Sequence, residues 1–224
     1  ATTEIYTLSL HDALPILEPE IYSLSLLKSL SSFAEEQNGT LNIHLKLDTG
    51  MRRLGIEESE IAELLKILAL SNLHITSIFS HLSASESDQY DDFTKAQVSR
   101  FKTMYEKIVE VLGYRPKRHI LNTGGVIRFP QYQFEMIRLG LGLYGIDETQ
   151  EVKNELEKVH NLKAKILQIK HLYKGETTGY SRSGKALSDI TIATISIGYA
   201  DGLMRSSGNG RHLVYLNGQF CPTI

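Results

Sequence analysis

The feature that most constrains this chain is an alternation. Between Leu17 and Gly145, stretches in which apolar residues recur every second position take turns with stretches of helical period. PEIYS reads as a short strand, followed by a helix on which Leu26, Leu27, Leu30 and Phe33 recur at helical spacing. NIHLKLD reads as the next strand, with Ile43, Leu45 and Leu47 on one face and His44, Lys46 and Asp48 on the other. Ile61, Leu64, Leu65 and Leu68 then mark an amphipathic helix, and Ile75 to Leu82 (ITSIFSHL) a strand. A longer helix is expected from Asp92 to Leu112, burying Phe93, Phe101, Met104, Tyr105 and Ile108, with Gly113 as its cap. HILN, ending at Asn122, and FEMIRLGLGLYG read as two further strands. Strands alternating with helices call for βα units around a parallel sheet, and the set as a whole should be hydrophobic on both sides.

After Gly145 the texture changes. IDETQEVKNELEK is a polar linker, and LKAKILQIKHL, ITIATISIGY and HLVYL read as strands of an antiparallel β domain. Asn217-Gly218 is a hairpin turn signal, because both residues tolerate positive φ. The chain stops at Ile224, which leaves too little for the partner strand and points to a truncated C-terminus. At the other end, Tyr6 to Ile16 (YTLSLHDALPI) looks like a translated sequencing-library adapter, and the chain starts without methionine, so residues 1–16 are set aside as non-native.

Composition excludes several functions. The 224 residues carry a formal charge of -2 with no basic cluster, which excludes a nucleic-acid partner that works by counterion release. No apolar run is long enough to span a bilayer, and no signal-peptide pattern occurs. A single cysteine, Cys221, excludes an internal disulfide and fits a reducing cytoplasm.

Polar residues gather at or just past the strand ends: Lys46, Asp48 and Arg53, then His81, then Asn122 and Thr123, then Arg138. In a βα barrel those ends converge on one mouth. Each has a plain structural reading as well. The 44–53 stretch reads equally as an edge strand with a wet face, and His81 as a satisfied, half-buried histidine. Thr123-Gly124-Gly125 could cradle a phosphate with a hydroxyl and successive N–H groups, but such turns usually just turn. Arg138, between Ile137 and Leu139, is a permanent charge in an apolar segment, which is costly without a partner. Tyr180 in TTGYSRSG is by default a surface tyrosine, and Tyr199 in ISIGYADG a cap on the β domain.

Six motifs in order change those odds. KLDTGMRRLG, SHLSASES, LNTGG, MIRLGLGLYG, TTGYSRS and IGYADG resemble, one after another, those of the alanine racemases, pyridoxal-phosphate enzymes of fold-type III. The resemblance runs from Leu17 to Ile224 and is strongest to the form fused behind a Mur ligase domain. It implies an α/β fold: part of a (β/α)8 TIM-type barrel over residues 17–147, then the start of a mainly antiparallel β domain over residues 148–224. The activity implied is interconversion of L- and D-alanine, supplying D-alanine for peptidoglycan, in a cytoplasmic homodimer with pyridoxal 5'-phosphate and no metal. Tyr180 matches the catalytic tyrosine, which acts across the dimer interface. A phenol of pKa ~10 needs help as a base, and the surroundings of His81 and Arg53 would supply positive charge to lower it. Arg53 would meet the cofactor phenolate or the substrate carboxylate. Lys46 matches a lysine carbamylated in many members, which as an anion would orient Arg53. Arg138 would face the pyridine nitrogen and, with a pKa above ~12, leave it unprotonated. Thr123, Gly140 and Asn122 fall to the cofactor phosphate region, and Tyr199 and Asp201 to the substrate entry.

One motif is missing. The family's Schiff-base lysine lies in a sequence resembling VKANAYG, which occurs nowhere here, so the 224-residue polypeptide is expected not to racemise alanine although its parent protein does. Rival readings are a serine or broad-specificity racemase, a decarboxylase of basic amino acids, and a non-catalytic pyridoxal-phosphate protein. A decarboxylase should lack the GYSRSG and GYADG pairing, and the non-catalytic protein should end near Gly145.

Overall fold

The structure, a computed structural model, describes residues 17–152 and 155–224. The adapter-like segment at 1–16 lies outside them. The chain divides into two compact units, Ala1–His160 and Asn161–Ile224.

The first unit is a four-stranded parallel sheet in the order β1 (Glu20–Ile21), β2 (Leu41–Lys46), β3 (Leu73–Phe79) and β4 (Lys117–His119). Helices α1 (Leu24–Glu36), α2 (Ile61–Leu68) and α3 (Asp91–Leu112) connect successive strands, and a short α4 (Thr123–Arg128) follows β4. The Ser23 hydroxyl accepts the Leu26 N–H to start α1. Gly113, at φ 73, ends α3 with its N–H on the Val109 carbonyl, a left-handed conformation that glycine adopts without a Cβ penalty. The core lies between sheet and helices: Ile21, Ile43, Leu45, Ile75 and Ile78 meet Leu27, Leu64, Phe101 and Ile108, all fully buried.

Several expectations need correction. The strands are not hydrophobic on both sides. In β2 the side chains alternate between buried and partly open, because helices cover one face while the other carries the polar set. Phe93 is 43% exposed, on the outward side of the first turn of α3. The HILN strand stops early: β4 ends at His119, and Asn122 instead caps α4, its side-chain oxygen accepting the Gly125 N–H. FEMIRLGLGLYG forms no strand. Only Met136 and Arg138 donate to the β4 side, to the carbonyls of Arg118 and Leu121, before residues Leu141–Tyr144 turn into a 3-10 helix.

β2 and β3 share a register shift between Ile43 and His44: Ile43 pairs with Ile75, but His44 pairs with Ser77. The unpaired Thr76 reverses the facing of β3 at mid-strand, because side chains alternate with a period of two. Ile75 and Ile78 therefore both point to the core, and Ser77 and Phe79 join His44 and Lys46 on the opposite face.

The second unit consists of three antiparallel pairs: β5 (Ile166–Leu172) with β8 (Ile190–Ile195), β6 (Thr177–Thr178) with β7 (Gly184–Lys185), and β9 (Leu213–Leu216) with β10 (Gln219–Pro222). The turn at Asn217 (φ 47) and Gly218 (φ 88) forms as its residues dictate. Contrary to expectation, the partner strand does fit before Ile224; it is β10, four residues long.

Candidate active site

The reversed half of β3 places a cleft of about 460 Å³ on the open face of the sheet, lined by Glu18, Glu20, His44, Lys46, Arg53, Phe79, His81, His119, Met136 and Arg138. Of the residues expected from sequence, Lys46, Arg53, His81 and Arg138 come together here.

Arg138 is at its centre. Its guanidinium donates to the Ser80 carbonyl at 2.6 Å and to His81 Nδ1 at 3.1 Å, and it touches His119 Nδ1. It also lies over the Phe79 ring, 5.0 Å from the centroid, while that ring stacks on His119 at 4.6 Å. Among the described residues no carboxylate pairs with Arg138, and burial pulls its pKa below the usual guanidinium range. The two imidazoles are compatible with this charge because both are neutral. Burial, then the charge of Arg138, pushes His81 down to about 4 and His119 down to about 3. His81 is thus neutral, and the cations around it are Arg138, Arg53 and Lys46.

The loop after His81 is held by the fully buried Gln97 of α3, which donates to the His81 carbonyl and accepts the Ser83 N–H, at 3.1 and 3.0 Å. Arg53 is exposed on a loop pinned at its base by the Leu47–Ile56 bridge. Asp48 shapes that loop: one carboxylate oxygen accepts the N–H of Gly50 at 2.8 Å and of Arg52 at 3.1 Å, holding Arg52 at φ 57. The Lys46 ammonium pairs with Glu20, Nζ to Oε1 at 2.7 Å, its side chain 13% exposed.

Thr123 lies at the first residue of α4. Its hydroxyl accepts the N–H of Gly140 at 3.0 Å and of Gly142 at 3.2 Å, and a Cβ on Gly142 would come within 2.8 Å of the Thr123 methyl. The two segments are thus packed so that one hydroxyl and two N–H groups converge. Asn122 takes a supporting place, its oxygen engaged by Gly125 and by the Ser85 hydroxyl at 2.6 Å.

Tyr180 and Tyr199 belong to the second unit. Tyr180 is 91% exposed and begins a 3-10 turn whose Ser181 has φ 56. Tyr199, 69% exposed, lies on a shallow cavity with Leu203, Met204 and Arg205, and Asp201 accepts the Gly198 N–H at 2.9 Å.

Sequence reasoning missed His119, Glu18, Glu20 and Phe79. His44 was placed on the correct face without a role. The signal available for His119 was its position at a strand end, as for His81.

The family model for the alanine racemase N-terminal domain matches residues 7–148, and that for the C-terminal domain residues 159–224. Alanine racemase 1 of Clostridium acetobutylicum is 36% identical over 213 residues, 93% of this chain and 55% of that protein. The Helicobacter pylori (strain J99) alanine racemase is 34% identical over 218 residues, 93% of this chain and 57% of that protein. The crystal structure of alanine racemase from Bartonella henselae with covalently bound pyridoxal phosphate has a TM-score of 0.81 and 29% identity, over 95% of this chain and 58% of that one. The chain spans little more than half of these relatives' length, and by its two matched domains it belongs to the alanine racemase family.

Proposed function

We propose that the protein to which these residues belong interconverts L- and D-alanine with pyridoxal 5'-phosphate. The observation that carries the reading is Arg138: a half-buried guanidinium wedged between two neutral imidazoles, with no carboxylate partner among the described residues. Among the described residues its hydrogen bonds run through Nη1 and Nη2, which leaves Nε–H for an acceptor in the cleft. A neutral ring nitrogen fits that donor, and a guanidinium does not readily give up its proton to it.

The residues present fit the cofactor. Thr123 Oγ1 accepts from the N–H groups of Gly140 and Gly142, which leaves its own hydroxyl proton as the donor for a phosphate, with Asn122 supporting from behind. Arg53 offers a planar fork for a carboxylate or phenolate. The cofactor, when bound, withdraws electrons from the substrate's α-carbon. Tyr180 then removes or returns a proton on one face, and its exposure supports its working on a partner chain's site in a homodimer. A second base on the opposite face is required for the mirror-image product. Tyr199 and Asp201, on the same unit as Tyr180, match by the family resemblance the residues of the substrate entry. Lys46 fixes the sheet edge by its ion pair with Glu20. Use of D-alanine in peptidoglycan and a cytoplasmic location complete the reading.

Because no VKANAYG-like motif is present, the 224-residue polypeptide by itself is proposed not to racemise alanine. The test compares that polypeptide with one extended by the lysine-bearing segment of a family member, following D-alanine formation from L-alanine. Turnover in the extended protein, lost with Arg138→Glu, is expected; a folded, cofactor-loaded extended protein that leaves L-alanine unchanged overturns the assignment. Turnover by the 224 residues alone overturns the second part.

A further inference from the structure

A chain of polar side chains crosses the barrel unit's sheet, one from each strand or its flank, and only its last member has a task so far. Glu18 Oε2 lies 2.9 Å from His44 Nε2, ahead of β1 and on β2. His44 Nδ1 lies 2.6 Å from Ser77 Oγ on β3, and Ser77 Oγ lies 2.9 Å from His119 Nε2 on β4. His119 Nδ1 meets Arg138 Nη1. The register shift at Thr76 makes this possible, since a regular ladder would turn Ser77 to the helical side.

One arrangement of protons satisfies every link. Arg138 carries donors only, so His119 Nδ1 must accept. A neutral His119 then has its single proton on Nε2 and donates it to Ser77. Ser77 is 1% exposed, and among the described residues its hydroxyl partners are the two imidazoles. If it accepted from both, its own proton would be buried without an acceptor. Ser77 therefore donates to His44 Nδ1, and His44 donates from Nε2 to Glu18. All donors point one way, from the guanidinium to the carboxylate.

We propose that Ser77, His44 and Glu18 are positioning residues: they hold His119 in its Nε2–H tautomer, so that Nδ1 remains the acceptor that fixes the Arg138 guanidinium. Its bearing on catalysis rests on the reading of Arg138 given above, but the geometry can be tested without it. Nitrogen-15 NMR of the histidine rings in the full 224-residue chain at pH 7 should show bare Nδ1 and protonated Nε2 on both His119 and His44. An Nδ1–H on either ring overturns the proposal. Ser77→Ala should mix the tautomers of His44 and speed exchange of the Arg138 side-chain N–H protons roughly tenfold; Ser77→Thr, which keeps the hydroxyl, should restore both. Unchanged tautomers and unchanged Arg138 exchange in folded Ser77→Ala overturn it. If Ser77→Ala does not fold, Glu18→Leu, at the more open end, should still mix the His44 tautomers, and an unchanged His44 refutes the chain. Titration with pyridoxal phosphate separates the two readings. Ordered tautomers and a protected Arg138 in a protein extended by the lysine-bearing segment that still binds no cofactor support the relay and count against the racemase assignment.

Discussion

The barrel unit and the C-terminal unit are held together by different means. In the first, Ile21, Ile43, Leu45, Leu64, Ile75, Ile78 and Phe101 are fully buried around one core, and polar residues are free to gather on the opposite sheet face. In the second, six of the seven residues of β5 are exposed, and Leu172 and Ala186 are the buried apolar residues among those described. Its shape comes from turns and ladder hydrogen bonds, with Ile169, Tyr173 and Tyr215 each more than 60% exposed. A site that must hold a charged group in a dry place needs the first kind of support. An exposed residue such as Tyr180 suits the second.

The contrast can be broken by mutation. Phe101→Ala should remove about 3–5 kcal/mol from the barrel unit, measured by denaturant unfolding, because it empties a fully buried site. A loss below about 1 kcal/mol would mean that the core is not the support described. Acid should have the next largest effect. His81 and His119 have folded pKa values of about 4 and about 3, below the ordinary 6.5, so the unfolded chain binds more protons between those limits. Their contribution is full above pH ~6.5 and declines as pH falls, on the order of 2 kcal/mol between pH 7 and 5. A flat stability profile over that window would show that these imidazoles are charged or open in the folded state. Asp48→Ala should cost about 1–2 kcal/mol, since two N–H groups lose their acceptor, and should increase the mobility of Arg53, seen as faster exchange of the Gly50 and Arg52 amides. Ile169→Ala, at a position 63% exposed, should change stability by no more than about 0.5 kcal/mol; a larger effect would show that something covers that strand in solution.

Much of the barrel unit was legible because its strands and helices carry their own periods. Ile43, Leu45 and Leu47 declare a strand face without help from elsewhere, and Gly113 and Asn217-Gly218 end elements where their backbone freedom requires. FEMIRLGLGLYG misled because apolar content resembles a buried strand, whereas Gly140 and Gly142 mark close approach to Thr123. Lys46, Arg53 and His81 were legible at or just past strand ends, and Arg138 as a permanent charge in an apolar segment. His119, Glu18 and Glu20 were not, since their roles depend on which strand lies next to which and in what register. The reversal at Thr76 is a property of two strands together, and no single-strand pattern contains it.

The polar chain from Glu18 to Arg138 also has a place in time. Its four links join residues 26, 33, 42 and 19 positions apart, whereas the Leu47–Ile56 bridge that closes the Arg53 loop joins near neighbours. Contacts across long stretches of chain form late, because the intervening loops must close first. The Arg53 loop is therefore expected to gain amide protection early in refolding, and the Arg138 side chain to become ordered only when all four strands are in place. Pulsed hydrogen exchange during refolding can follow the first event and nitrogen-15 NMR the second. If Arg138 became protected before β4 was in place, the guanidinium would owe its position to something other than the strands beside it.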